Sequence, residues 1–311
     1  MRRLLFIVAA LVLLVAGYLV WAALTPAPRP VHLAARPLPA AATAARPVIV
    51  AASTPAPAPT PANCTAPAFD QAAMANAASL DTLLWQPFHR DETGWRTYAP
   101  RIASEIGAAC PPDSSGFAAA LAAWQAGHAL PASGRLDAPT FDKMNVGWEL
   151  ARPFVRLSRN GVCPDPPAET ALAWARPEEG YERKPIQLRA DALAAYRRLA
   201  AAARAASPAV AADPRLLTIF SGYRSPEADA ARCAREQNCG NVTRALCSAH
   251  RTGLAMDLYL GAAPGFPPES SDDVNRRFQS QTPVYAWLVA HGAEYGFVNY
   301  PFEPWHWEWV G

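Results

Sequence analysis

Two stretches near the C-terminus alternate between apolar and polar residues with period two, as strands do. In Ala255-Met-Asp257-Leu-Tyr259-Leu260, the residues Met256, Leu258 and Leu260 fall on one face and Asp257 on the other. At the end of the chain Trp305, Trp307 and Trp309 alternate with His306, Glu308 and Val310. This is the pattern of a strand that packs aromatics on one side and directs a histidine across the other. Helical periods appear elsewhere. Phe117, Leu121 and Trp124 recur at i, i+4 and i+7 behind Ser114 and Ser115, either of which can start the helix. Gly127 and Pro131 end that helix and Ser133-Gly134 makes a turn. Asp137 can then cap a second helix with Pro139 in its first turn, followed by Phe141 and Met144. Residues 188–206 read as a helix with Leu193, Tyr196, Leu199 and Ala203 on one side and arginines opposite. The apolar run 216–220 reads as a buried strand leading into Ser221-Gly-Tyr-Arg224, and Ser225-Pro226 can begin a helix through Arg235. Residues 284–295 form the last expected helix, with Tyr285, Leu288 and Val289 inward. Residues 151–187 are broken by prolines and are expected to wrap the next domain irregularly.

The first 63 residues change character. Met1-Arg2-Arg3 precedes an uncharged apolar run over residues 4–24, long enough at about 1.5 Å per residue to cross a ~30 Å hydrocarbon core. The arginines ahead of it predict a cytoplasmic N-terminus and an exported body, on the periplasmic or extracellular face. A retained membrane anchor is favoured over a cleaved signal, and Ala22, Ala23 and Ala27 leave cleavage open. Residues 25–63 are mostly Ala, Pro, Thr and Val and lack the large apolar side chains a core needs, so they read as a semi-extended linker. The expected division is then 1–24 anchor or signal, 25–63 linker, 64–150 a small helical module, and 151–311 the main domain.

All six cysteines, Cys64, Cys110, Cys163, Cys233, Cys239 and Cys247, lie beyond the apolar run. An even count in an oxidising compartment predicts up to three disulfides, with the pairing open. The 28 basic and 26 acidic residues nearly cancel, and no basic face argues for nucleic acid.

The candidate chemistry sits on the two alternating stretches. A first-row metal bound for hydrolysis needs about three protein ligands and an open position for water. His250, Asp257 and His306 can supply the ligands, with Glu303 as the base beside the water. A buried carboxylate such as Asp257 is costly unless paired or metal-bound. The Cys247-x-x-His250 spacing is a weaker metal pattern, because thiolates in an oxidising compartment are consumed by disulfides. Arg224, a permanent cation with forked donors, can stabilise an oxyanion at a carbonyl under attack, or it can bond loop carbonyls structurally. Ser248 can bind substrate or brace His250.

These residues resemble a family. Ser248-x-His250-x-x-Gly253-x-Ala255-x-Asp257, the upstream Ser221-Gly-Tyr-Arg224-Ser225, and Glu303-x-Trp-His306 after Tyr295-Gly-Phe297 are similar to the motifs of the VanY-type zinc D-alanyl-D-alanine carboxypeptidases. The resemblance covers roughly residues 180–311. It implies an α+β fold, a small antiparallel sheet with flanking helices of the D-Ala-D-Ala carboxypeptidase or hedgehog-like kind. It also implies zinc on His250, Asp257 and His306, Glu303 as general base, Arg224 at the oxyanion, and peptidoglycan stem peptides as substrate. A cross-link endopeptidase and a non-catalytic, zinc-stabilised wall-binding protein are the alternatives. Residues 117–144 are similar to small helical peptidoglycan-binding modules, although Trp85-Gln-Pro-Phe88 and Gly94-Trp95 depart from their first helix; a structural cap is the other reading. The connection from Tyr295-Gly-Phe297 to Glu303 is shorter than in the family, and the stretch before Ser248 carries cysteines where a glycine-rich lead is expected.

Overall fold

Two helices of the N-terminal half start where a side chain satisfies a free backbone N–H group. The computed structural model describes residues 64–158, 161–236 and 247–311. The expected anchor at 1–24, the linker at 25–63 and Cys239 lie outside the described residues. Helix α1 (Asp70–Ser79) is followed by a hairpin of β1 (Leu84–Trp85) and β2 (Glu92–Thr93), then by α2 (Ala99–Glu105), α3 (Ser115–Gly127), α4 (Ala138–Ala151) and α5 (Pro153–Leu157). Ser114 accepts from the Phe117 N–H at the start of α3, and Asp137 accepts from the Thr140 N–H at the start of α4. The aromatics of this half, Trp85, Trp95, Tyr98, Phe117, Phe141 and Trp148, are buried together in one core. They serve packing rather than an exposed platform for a polymer. Trp124 is only partly buried at its margin and stacks on His128.

The proline-broken stretch is more regular than its sequence suggests. It contributes β3 (Leu172–Trp174), which pairs antiparallel with β4 (Gln187–Arg189). Leu188 and Arg189 thus belong to a strand, and helix α6 (Ala190–Ala206) starts two residues later than expected. Its buried side holds Leu193, Tyr196, Leu199 and Ala203, as the period predicts. After α7 (Pro208–Ala212), Leu217 takes a positive φ, so β5 (Ile219–Ser221) keeps only the end of the apolar run. Then come α8 (Pro226–Glu236), β6 (Ala255–Leu258), α9 (Asp273–Ser280), α10 (Pro283–His291), β7 (Phe297–Asn299) and β8 (His306–Trp309). A single 3-10 turn at Gly292–Tyr295 completes the last expected helix.

Strands β5, β6, β8 and β7 form, in that order, an antiparallel four-stranded sheet. Its apolar face carries Met256, Leu258 and Trp307 onto α6 and α10, burying Tyr196, Leu199, Tyr285 and Leu288 in one core. The fold is α+β, with helices covering one face of a small antiparallel sheet. Trp305 departs from the expected alternation. It precedes β8 and packs with Phe220 and Tyr259 in a separate small cluster.

Two disulfides are described, Cys64–Cys110 and Cys163–Cys247, and no described cysteine is free. The second ties the proline-rich stretch to the residue preceding Ser248. All described residues lie in one compact unit, Ala58–Gly311, and buried polar contacts join its two cores. Arg276 donates to Glu92 at 2.9 Å, to the Tyr98 hydroxyl at 2.7 Å and to the Phe302 carbonyl at 2.7 Å. Phe88 packs against Tyr300 and Phe302 with ring centroids 5.4 and 5.6 Å away. Among the described residues no helix is long and apolar enough to cross a membrane.

One buried carboxylate gives this unit an acid-sensitive joint. Glu179 accepts from Arg197 at 2.8 and 2.9 Å and from both the side chain and backbone N–H of Arg176. Burial alone would raise its carboxyl; the hydrogen bonds outweigh burial and hold it at about 2, below its ordinary 4.5. A depressed carboxyl contributes stability above its unfolded value and loses it as pH falls through the folded one. Acid unfolding of Glu179→Gln should therefore be shallower than that of the wild type between about pH 4.5 and 2. Superimposable acid melts would contradict this.

Candidate active site

Antiparallel register places Asp257 directly opposite His306 on adjacent strands, on the face turned away from the core. Both are buried. His250 reaches the same point from a 3-10 turn, Ala249–Thr252, which ends at Gly253 with φ +67°. Glycine accepts that left-handed conformation without the usual steric cost. A Cβ there would also meet Arg189 Cγ at 3.1 Å and Leu172 Cδ2 at 3.2 Å. Gly253→Ala should therefore cost roughly 1–2 kcal/mol of stability, read from denaturant unfolding. An unchanged midpoint would show that the turn tolerates a side chain.

The three side chains converge. His250 Nε2 lies 3.1 Å from Asp257 Oδ2, and His306 Nδ1 lies 2.8 Å from Asp257 Oδ1. One ligand atom from each of the three falls within 4.8 Å of the others. The other nitrogen of His250, Nδ1, faces the Gly222 carbonyl oxygen at 2.8 Å and donates to it when protonated. A carbonyl acceptor at this distance selects the tautomer that leaves Nε2 with a free lone pair. Gly222 itself packs closely on the strand carrying Gln187, since a Cβ at that position would lie 2.5 Å from the Gln187 carbonyl oxygen.

The donor set fits a divalent cation. With Nδ1 turned to the Gly222 carbonyl, His250 aims Nε2 at the Asp257 carboxylate, an arrangement that suits a cation held between them. Burial favours a neutral Asp257, yet the charges and hydrogen bonds of His250 and His306 outweigh it and drive the carboxyl far below its ordinary range. Burial likewise opposes a charged His306, while hydrogen bonding to Asp257 and the nearby Glu308 carboxylate push the imidazole up to about 9. Two imidazoles and one carboxylate suit zinc, which takes nitrogen and oxygen ligands and keeps an open position in catalytic sites.

Glu303 lies on the turn between β7 and β8. Its N–H donates to the Tyr300 carbonyl at 2.9 Å and its own carbonyl accepts from the His306 N–H at 2.8 Å. These bonds fix its backbone three residues ahead of His306. Its side chain is partly exposed and stands outside the convergent trio.

Arg224 sits beside His250, with its backbone N–H donating to the His250 carbonyl at 3.2 Å. Its guanidinium donates to Ser248 Oγ at 3.1 Å and Ser221 Oγ at 3.2 Å, and reaches Asp229 Oδ1 at 3.4 Å. Ser248 in turn donates to Asp229 Oδ1 at 3.0 Å. The Ser248 hydroxyl thus bridges Arg224 and Asp229 instead of bracing His250.

The family model VanY, described as D-alanyl-D-alanine carboxypeptidase, matches residues 185–311. Residues 185–311 are a VanY-type domain. Comparison of the chain with curated proteins gave no match. The VanY domain begins two residues before β4 and contains His250, Asp257, His306, Glu303, Arg224 and Ser248. Its family places the domain among carboxypeptidase-like hydrolases.

Sequence reasoning missed three residues around the VanY-domain site. Asp229, on the first turn of α8, is buried and joins Arg224, Ser248 and Arg251, the last at 3.5 Å. Nothing in its local spacing distinguishes it from an ordinary acidic residue early in a helix. Glu308 is 1% exposed and lies on the His306 face, where alternation had placed it without a role. Arg152 donates to Glu308 Oε1 at 2.7 Å across 156 residues of sequence, a partnership that no local pattern signals.

Proposed function

We propose that this protein is an exported, zinc-dependent D,D-carboxypeptidase that removes the terminal D-alanine from peptidoglycan stem peptides. The observation that carries the reading is the buried convergence of His250, Asp257 and His306 inside a VanY-type domain. These three residues would hold the zinc, which would supply Lewis acidity toward the scissile carbonyl and make water easier to deprotonate. Glu303 takes the proton of the attacking water and returns one to the leaving amine, so that one carboxylate serves as base and then acid. Arg224, held by Ser221, Ser248 and Asp229, offers fixed cationic donors where negative charge develops on the carbonyl oxygen. Ser248 keeps that guanidinium aimed and so acts on the substrate indirectly.

Export is supported by the apolar run at residues 4–24 and by the disulfides of the described part. The upstream module, residues 64–150, docks on the VanY domain through the Glu92–Arg276 pair and the Phe88 contacts. The deciding experiment is incubation of the purified protein with stem pentapeptide and with cross-linked muropeptides, followed by mass analysis. Loss of one alanine from the pentapeptide is expected. Cleavage confined to cross-links would make the enzyme an endopeptidase, and no product from either substrate would favour a wall-binding protein.

A further inference from the structure

The polar surroundings of His306 come partly from outside the VanY domain. If His306 binds metal through Nδ1, as in the proposed function on which this inference rests, its single imidazole proton must sit on Nε2. That nitrogen is buried and makes no hydrogen bond to a described residue. The carboxylate facing it is Glu308, whose Oε1 lies 3.5 Å away. A buried N–H without an acceptor is costly, and metal-binding histidines ordinarily donate their second N–H to a carboxylate, a carbonyl or water. Drawing Nε2 towards Glu308 meets that need and fixes the ring plane.

Glu308 cannot stay ionised in such a place alone. Its Oε1 accepts from Arg152 Nε at 2.7 Å and its Oε2 from the Phe154 backbone N–H at 2.9 Å. Both donors belong to the junction between α4 and α5, upstream of residue 185. Arg152 is itself clamped: it donates to Glu149 at 2.7 Å, and its guanidinium lies 4.1 Å over the Tyr300 ring, which stands perpendicular to the His306 ring with centroids 6.1 Å apart. Opposite Glu308 on β6 stands Ala255, a small residue that leaves space for the carboxylate on this face.

We propose that Glu308, fixed by Arg152 and the Phe154 N–H, is the positioning residue that orients His306 for metal, so that residues upstream of the VanY domain complete its metal centre. The VanY domain expressed alone would lack Arg152 and leave Glu308 without its cation. In this reading Arg152 and Phe154, ahead of the matched residues 185–311, are required for metal affinity.

The test is made on the full-length protein, with zinc affinity measured by competition against a chromophoric chelator. Glu308→Gln should weaken zinc binding by the roughly 10–100-fold that loss of an outer hydrogen-bond partner costs. Because Glu308→Gln leaves Arg152 without its buried partner and can fail to fold, the double variant Arg152→Met/Glu308→Gln is made beside it. Removing both charges together is often tolerated. A purely structural role would leave the His306 proton untouched, so proton NMR of the zinc-loaded protein supplies the second readout. The Nε2–H resonance should be shifted downfield in the wild type and move upfield in either variant. Unchanged zinc affinity in a folded variant overturns the positioning role. Wild-type protein that takes up no zinc overturns the metal centre itself, a distinguishable failure.

Discussion

Glu303→Ala should keep its zinc and lose its turnover. Glu303 stands outside the three convergent ligand atoms, and its place on the turn is set by two backbone hydrogen bonds that the substitution leaves intact. The trio His250, Asp257 and His306 is therefore undisturbed, and elemental analysis should find as much metal as in the wild type. Turnover of a peptide ending in D-Ala-D-Ala should fall by the ~10²–10⁴-fold typical of a lost general acid/base. The loss should appear in kcat more than in KM, because the proton transfers belong to the transition state. Zinc loss in this variant would make Glu303 a ligand; unchanged turnover would remove it from catalysis.

His306→Ala should behave oppositely, losing zinc and activity together. The substitution removes one of three ligands and leaves the buried Asp257 with His250 as its remaining imidazole partner. It also empties the space between Asp257 and Glu308, two carboxylates that His306 otherwise separates. The expected result is a protein with little bound metal after dialysis and no measurable release of D-alanine. Retention of zinc with wild-type stoichiometry would show that metal binds elsewhere.

Local pattern carried much of this structure. Period-two alternation put Asp257 and His306 on the polar faces of two strands, and the register of β6 and β8 then made them neighbours. Ser114 and Asp137 were legible as caps because a cap needs only a side-chain oxygen at the right offset. Alternation failed at Trp305, which precedes the strand and joins Phe220 and Tyr259. Prolines hid the β3–β4 hairpin, whose pairing depends on residues 187–189 and not on the stretch itself. The partners of Ser248 and Glu308 were illegible for a related reason. Asp229 and Arg152 are brought to them by tertiary packing, and a buried ion pair leaves no period in the sequence.

The central claim is that His250, Asp257 and His306 hold a zinc ion on which peptide hydrolysis depends. Its most direct test follows D-alanine release from a stem pentapeptide while metal is stripped by a chelator, removed with it, and restored. The account predicts that release stops when elemental analysis shows the zinc gone and returns when zinc is added back to the wild type, but not to His306→Ala. Undiminished release by protein verified to be free of metal would contradict it.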